Sequence, residues 1–243
     1  CGDDACFTVL QADRFLGPYE VVKTHYRPFN HEVGDFDITV CSDTAYLYMD
    51  ADHSGLLTMR LTTDFTEAAE KICWQYKNLH APFCREAPAV FSHEGKWFML
   101  TSGMTGYVPN RSDSAAANSP DAPFLSIGNP HVEDDSCASF NSQISQVFKV
   151  PSKRGLYIAL ADRWVPDYPV DAKLADLLER CTAQRFDPKH YKATPEEMQH
   201  MMQSPMLSSA NTSRADYVWL PITFENGKPK IHWCDSWKLS EFE

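Results

Sequence analysis

Short apolar runs, separated by polar turn residues, dominate the hydrophobic pattern of this chain. Each run holds about four to eight residues and is rich in Val, Ile, Tyr, Phe and Trp, a composition that favours β-strands. The runs are CFTVLQA, DITVCS, TAYLYMD, LLTMRLT, KICWQY, APAVFS, KWFMLTS, ISQVFKV, LYIALAD, YVWLPITF and KPKIHW. Their number and spacing predict an all-β fold, namely a sandwich, a barrel or a propeller.

Helical spacing is confined to about residues 170–203. There LADLLERC and PEEMQHMMQ repeat apolar residues with a helical period, and Thr194 precedes Pro195 as an N-cap precedes the first helical residue. This pattern predicts a small helical insertion in a β framework, within one domain that covers residues 1–243.

Three segments repeat one plan, in which a polar residue leads an apolar strand and an aromatic residue leads the strand after the turn. They are GDFDITVCSDTAYLYMD, REAPAVFSHEGKWFMLTS and NSQISQVFKVPSKRGLYIALAD, with Asp35, Glu86 and Gln143 as the polar residues. A period of about 50 residues is typical of the blades of a β-propeller. If the first strand of each blade lines the central channel, these three side chains converge on one funnel, where paired carboxylates suit glycosidic bond hydrolysis.

Charge and apolar content limit the classes of function. The formal net charge is -11, from 33 acidic and 22 basic residues, and no long charged block is present. This balance argues against nucleic-acid binding and suits a neutral substrate. No apolar run in the sequence is long enough to span a membrane.

The eight cysteines and nine histidines show neither CxxC nor HExxH spacing. We therefore expect mostly free, buried thiols, no metal site and no cofactor, and a channel cation such as calcium has no support in the sequence. Free thiols favour a reducing compartment, whereas N-x-S/T sequons at Asn110 and Asn211 favour secretion. The sequence leaves the location open between the two.

The segments GDFD, REAPAVF, TSGMTGYVPN, FNSQ, ADRW and YVWLPITFENGKPKIHWCDSW follow one another in this order. In combination they resemble glycoside hydrolase family 43, and in particular its exo-β-1,3-galactanase branch. The resemblance extends from GPYE to the C-terminal DSWKLS. It implies a five-bladed β-propeller with the active site in the central funnel, in agreement with the period of the repeat.

The resemblance assigns roles to the leading residues of the three modules. Glu86 in REAP matches the general acid, which protonates the departing glycosidic oxygen, and Asp35 in GDFD matches the aspartate that orients this acid and raises its pKa. Gln143 in FNSQ matches a glutamine that replaces the base aspartate of other members. The alternatives are a strand-edge Glu86 paired with Arg85 or another cation, Asp35 as a turn residue next to Gly34 or Asp37 as the functional aspartate, and a structural amide at Gln143.

Two further segments supply candidate sugar-binding residues. ADRW ends an apolar strand with a charged pair beside an indole that is suited to stack on a pyranose, and TSGMTGY, which includes Ser102, leads from an aromatic strand into a turn. The alternatives are an inter-blade ion pair capped by a core Trp, and a surface turn. The predicted substrate-binding residues are Thr101, Thr105, Tyr107, Asn141, Asp162, Arg163 and Trp164.

Members of this family carry further blade motifs before GPYE, whereas CGDDACFTVLQADRF resembles only the closing strands of a blade, and the chain starts without Met. We therefore expect an incomplete propeller of about three and a half blades, either because the chain is N-terminally truncated or because another chain supplies the rest. Such an arc exposes a blade face and strand edges, so we also expect self-association through them.

Together these features predict an inverting, exo-acting glycoside hydrolase for β-galactan or related plant polysaccharide side chains. Its partner is an oligosaccharide or polysaccharide, with neither nucleic acid nor membrane involved. Three alternatives stay open: arabinofuranosidase or xylosidase activity in the same family, a catalytically inactive carbohydrate-binding propeller, and a propeller used for protein interaction.

Overall fold

The computed structural model describes residues 5–203 and 211–242, and Cys1 lies outside these ranges. Strands make up most of the regular structure, in one two-stranded and three four-stranded sheets. The two-stranded sheet pairs β1 (Phe7–Gln11) with β2 (Glu20–Tyr26). These sheets confirm the all-β, incomplete propeller of three and a half blades.

Each four-stranded sheet is an antiparallel meander, and the three sheets are called the first, second and third blade in chain order. The first blade contains β3 (Val33–Cys41), β4 (Thr44–Ala51), β5 (Leu56–Leu61) and β6 (Ala68–Gln75). The second blade contains β7 (Glu86–His93), β8 (Lys96–Ser102), β9 (Ser112–Ala117) and β10 (Leu125–Gly128). The third blade contains β11 (Gln143–Lys149), β12 (Tyr157–Arg163), β13 (Asp216–Glu225) and β14 (Lys228–Ile231).

Three of these strands have no counterpart among the predicted runs: β2, β9 and β10. The sequence of β9 is SDSAAA, which lacks the β-branched and aromatic residues on which the prediction relied. Its alanines are small enough to pack under the neighbouring blade, where Ala115 is 1% exposed. Tertiary packing, rather than local propensity, therefore stabilises this strand.

Two apolar clusters join neighbouring blades. Phe91 of the second blade packs against Tyr157 of the third, with ring centroids 5.4 Å apart. Tyr48 of the first blade packs in one cluster with Met99 of the second, and its hydroxyl donates to the carbonyl of Pro120 at 2.7 Å. Since the blades share these cores, the strand starts that carry the candidate site are held in fixed relative positions.

The helical insertion lies between β12 and β13 and consists of α1 (Ala172–Phe186) and α2 (Pro195–Gln203), as the sequence predicts. Asp171 caps α1 by accepting a hydrogen bond from the backbone N–H of Leu174 at 2.8 Å. Thr194 and Glu197 form a reciprocal capping box at α2, with bonds of 2.9 and 3.1 Å. The apolar faces of both helices pack against Val108 and Val165.

The cysteine prediction is partly wrong. All seven cysteines in the described ranges are free, but only Cys84 and Cys181 among them are buried. The others are half-buried, namely Cys6, Cys41, Cys73, Cys137 and Cys234. The remaining thiol, Cys1, lies outside the described residues.

Candidate active site

Asp35, Glu86 and Gln143 occupy equivalent positions near the starts of β3, β7 and β11. The first strand of each blade packs against the first strand of the next, so these starts lie side by side. Each of the three strands also has a shift in pairing register close to its site residue. A β-bulge re-aims the side chain beside it, and this local device is therefore common to all three modules.

The bulge at Glu86 has a visible backbone cause. Ala87 adopts a φ of 48°, which is unfavourable for a residue with a side chain, and the strand resumes regular pairing at Ala89. The backbone N–H of Ala87 donates a hydrogen bond to the Asp35 carboxylate. The strained residue therefore sets the direction of the Glu86 side chain at the start of β7, and its backbone N–H binds the neighbouring aspartate.

Gln143 contacts Glu86 directly. Its Nε2 donates to a Glu86 carboxyl oxygen at 3.2 Å and to the Ser102 hydroxyl at 2.8 Å. Its Oε1 accepts a hydrogen bond from the Trp164 indole N–H at 3.2 Å. The structure thus brings four of the residues singled out in the sequence into one hydrogen-bonded group, with Asp35 beside it.

Asp37 has a different position from Asp35. It is 5% exposed, and its carboxylate accepts from the backbone N–H of Val90 at 2.6 Å and from Gln146 Nε2 at 3.3 Å. These bonds tie β3 to β7 and to β11. Asp37 is therefore a structural brace between the blades, and Asp35 is the member of the GDFD motif that lies next to Glu86.

Asp50 and His53 are neighbours of the site that the sequence analysis did not identify. Asp50 ends the apolar run of β4, its side chain is fully buried, and one carboxylate oxygen lies 2.5 Å from His53 Nδ1. A Cβ on Gly34 would lie 2.2 Å from this carboxylate. The glycine of GDFD therefore makes space for Asp50, and an acidic residue closing an apolar strand was the available signal.

Burial and charge together raise the pKa of Glu86 to about 8. Burial is the larger cause, the negative charges of Asp35 and Asp50 add to it, and the hydrogen bond from Gln143 opposes it. Burial also raises the pKa of Asp50 to about 6 and shifts that of Asp35 upward, with His53 opposing both shifts. Although Asp35 reaches solvent on one side, the protein around it is dense enough to penalise its charge. At neutral pH, Glu86 is the carboxyl that keeps its proton.

Arg85 does not form the ion pair with Glu86 that was one alternative reading. Its guanidinium donates to the Thr101 hydroxyl at 3.0 Å and to the carbonyls of Thr101 and Arg111. Side chains alternate along β8, so Thr101 and Ser102 point in opposite directions. The structure places Thr101, which is 4% exposed, with Arg85, and only Ser102 with Gln143.

The remaining residues of TSGMTGY divide between the turn and the site. Thr105 accepts from Asn110 Nδ2 at 2.6 Å and donates to the carbonyl of Val108 at 2.8 Å, so it holds the turn together. Tyr107 is 55% exposed and packs edge-on against Trp164, with ring centroids 5.4 Å apart. Tyr107 and Trp164 therefore form an aromatic pair adjacent to Gln143.

Asn141 and Arg163 lie away from Glu86, in a separate cavity of about 390 Å³ that Trp233 also lines. Asn141 accepts from the backbone N–H of Val170 at 2.6 Å, and Arg163 lies over the Trp233 ring at 5.4 Å. Asp162 of β12 is the antiparallel pairing partner of Gln143 of β11. Arg163 is the last residue of β12 and lines this cavity, whereas Trp164 lies after the strand and bonds to Gln143.

Within residues 5–203 and 211–242, no group of three or more His, Cys, Asp or Glu side chains has a geometry suited to a metal ion. Over the same ranges, neither helix is long and apolar enough to cross a membrane. The absence of a cofactor remains a prediction from the sequence.

No protein-family model and no curated protein matches this chain. Solved structures do match it. A β-1,3-galactosidase of glycoside hydrolase family 43 is 26% identical, with a TM-score of 0.73 over 99% of this chain and 41% of its own. An exo-β-1,3-galactanase from Phanerochaete chrysosporium, solved with galactose, is 20% identical, with a TM-score of 0.64 over 94% of this chain and 42% of its own.

A putative exo-β-1,3-galactanase from Bifidobacterium bifidum is 16% identical, with a TM-score of 0.65 over 96% of this chain and 63% of its own. The chain thus spans less than two thirds of the length of each of these structures. The match covers nearly all of this chain, including every element that carries the candidate site.

Proposed function

We propose that the protein to which this chain belongs, whose resemblance to glycoside hydrolase family 43 the comparisons confirm, hydrolyses β-1,3-linked galactan from its ends. Glu86 acts as the general acid. The observation that carries this proposal is a carboxyl with a pKa of about 8 at the point where three strand starts meet, beside the second carboxylate of Asp35. A proton held at neutral pH in such a place is what a glycosidase acid needs.

In the proposed reaction, Glu86 gives its proton to the glycosidic oxygen while the bond from this oxygen to the anomeric carbon breaks. The electron pair of that bond stays with the leaving oxygen. Water adds to the anomeric carbon from the opposite face and loses a proton to a base, so the configuration inverts. Asp35, bound by the Ala87 N–H, keeps negative charge beside Glu86 and favours its protonated form.

The position of Gln143 bears on the identity of the base. Inversion needs acid and base about 6.5–9.5 Å apart, with space for water between them. Gln143 Nε2 lies 3.2 Å from the Glu86 carboxyl, in direct contact with the acid, which leaves no space for water between the two groups. The base role that the resemblance gives to Gln143 is therefore not part of this proposal, and another group activates the water.

Galactan is proposed as the substrate on two grounds. The motifs of this chain resemble the galactanase branch, and the matching structures include exo-β-1,3-galactanases and a β-1,3-galactosidase. An aromatic pair, exposed Tyr107 and half-buried Trp164, lies next to the proposed acid and is suited to stack on a pyranose ring. A neutral polysaccharide also suits the net charge of -11.

The test compares wild type, Glu86→Gln and Glu94→Gln in a protein that includes this whole chain, with β-1,3-galactan as substrate and released galactose as the readout. Glu94 is the matched control, because it lies in the hairpin turn of the same strand pair and its side chain is 85% exposed. Loss of the acid should lower the rate by about 10²- to 10⁴-fold. Glu94→Gln should hydrolyse galactan at the wild-type rate.

Three other outcomes would each change the proposal. Hydrolysis by Glu86→Gln at the wild-type rate would remove Glu86 from the mechanism. Cleavage of arabinofuranosides or xylosides alone would keep the reaction class and discard galactan. Galactan binding by calorimetry without any hydrolysis would indicate a carbohydrate-binding propeller instead of an enzyme.

A further inference from the structure

We propose that Trp164 is a positioning residue for the general acid and acts on it through the side-chain amide of Gln143. This inference rests on the proposed role of Glu86 and adds a second layer of residues behind it. Hydrogen bonds run from the Trp164 indole to the Gln143 amide, and from this amide to the Glu86 carboxyl.

Trp164 determines which way the amide of Gln143 points. An indole N–H can only donate, so the amide atom 3.2 Å from it is the oxygen, Oε1. The nitrogen Nε2 therefore faces Glu86 at 3.2 Å and the Ser102 hydroxyl at 2.8 Å. Without the indole donor, the amide is free to turn over and to present its oxygen to Glu86.

The orientation of this amide decides where the proton of Glu86 resides. The Glu86 oxygen that accepts from Gln143 is Oε1, so the acidic proton sits on the other oxygen, Oε2. There it is available to a glycosidic oxygen. A reversed amide would place its own oxygen against Glu86, accept this proton in a hydrogen bond and hold it away from the substrate.

Trp164 is held in place independently of Gln143. It follows directly after β12, and its half-buried side chain packs against the cluster formed by Val108, Val165 and the helices α1 and α2. The Tyr107 ring packs edge-on against it at 5.4 Å. Because packing fixes the indole, its N–H is a rigid reference from which the amide can be oriented.

The same indole has two functions that can be separated by substitution. Its ring belongs to the aromatic pair with Tyr107, whereas its N–H belongs to the hydrogen-bond chain. Trp164→Phe keeps an aromatic ring at the position and removes only the donor. Trp219→Phe is the matched control, because Trp219 is 54% exposed on β13 in the same blade and takes no part in the described site.

The experiment measures kcat, KM and the pH profile of kcat/KM for wild type, Trp164→Phe, Trp219→Phe and Ser102→Ala, with β-1,3-galactobiose as substrate, and kcat also with dinitrophenyl β-galactoside. For Trp164→Phe we expect kcat to fall about 10-fold or more, KM to stay within about twofold, and the alkaline limb to move to higher pH. The limb moves up because the hydrogen bond from Gln143, which favours the carboxylate of Glu86, is lost. The charges of Asp35 and Asp50, which raise the pKa of Glu86, and that of Arg85, which lowers it, are unchanged. Ser102→Ala should shift the limb in the same direction by less, and Trp219→Phe should match wild type.

Two results would overturn the inference. A rise in KM at unchanged kcat would show that Trp164 only binds sugar. An equal loss of kcat on galactobiose and on dinitrophenyl β-galactoside, with the pH profile unmoved, would show a purely structural role. If instead Glu86→Gln retains full activity, the proposed function fails, and the two failures are distinguishable.

Discussion

Replacing Glu86 by Gln should stabilise the protein at alkaline pH and leave its stability at acid pH almost unchanged. Folded Glu86 has a pKa of about 8, against 4.5 for an ordinary glutamate. The folded protein therefore binds this proton more tightly than the unfolded chain does. The stability that this proton contributes is fully present below pH 4.5 and is lost as the pH rises through about 8.

The size of this effect follows from the pKa. Each pH unit between the unfolded and folded pKa corresponds to about 1.36 kcal/mol. A pKa raised from 4.5 to about 8 thus corresponds to roughly 5 kcal/mol lost by wild type across this range. Glutamine cannot ionise, so the variant does not undergo the loss.

Urea denaturation from about pH 4.5 to about pH 8.5 measures the effect, with Glu94→Gln as the exposed control on the same hairpin. The gap in unfolding free energy between Glu86→Gln and wild type should widen steadily over this range and level off above about pH 8. The control should follow wild type throughout. A gap that does not depend on pH would refute the claim that Glu86 is held protonated.

Three further changes test other parts of the structure. Burial depresses the pKa of His131 to about 4, so the unfolding free energy of wild type should fall by roughly 3 kcal/mol as the pH drops from 6.5 through about 4. In urea denaturation, His131→Gln should flatten this part of the plot of unfolding free energy against pH. A slope equal to that of wild type would contradict this. Gly34→Ala should lower the unfolding free energy by about 1–3 kcal/mol in chemical denaturation, because the new Cβ would meet the Asp50 carboxylate. If the same substitution cost as much in an Asp50→Ala background, this clash would be excluded as the cause. Thr194→Ala should cost about 1 kcal/mol in thermal unfolding because α2 loses its cap, whereas Thr194→Ser should cost less.

The blade plan could be predicted from the sequence because it depends on local signals. The aromatic-led second strands and the turns before them repeat at fixed distances from Asp35 and Glu86, and the helices carry their own caps. The strand β9 could not be predicted in this way. Its SDSAAA sequence forms a strand only because the neighbouring blade covers its alanines.

Convergence of Asp35, Glu86 and Gln143 followed from the repeat, but the details of the site depend on register. Whether Thr101 or Ser102 meets Gln143 is decided by which face each residue takes on β8, and a run of polar residues at a strand end does not reveal this. Similarly, Arg163 and Trp164 are adjacent in sequence, but Arg163 lines the cavity with Asn141 whereas Trp164 donates a hydrogen bond to Gln143.

Asp50 shows a second limit of sequence reasoning. Its carboxylate raises the pKa of Glu86 and packs against Gly34 of the bulged β3, a contact between two strands of one blade. No spacing rule connects an acidic residue at the end of β4 with a glycine before Asp35. The steric role of Gly34 is therefore visible only in the structure.

The most direct test of the account is the leaving-group dependence of the Glu86→Gln variant, in a protein that includes the whole chain. A general acid is needed when the departing alcohol is a sugar and is hardly needed when it is dinitrophenolate. We predict a loss of about 10²- to 10⁴-fold on β-1,3-galactobiose and little loss on dinitrophenyl β-galactoside. Equal losses on both substrates, or no loss on either, would contradict the assignment of Glu86 as the general acid.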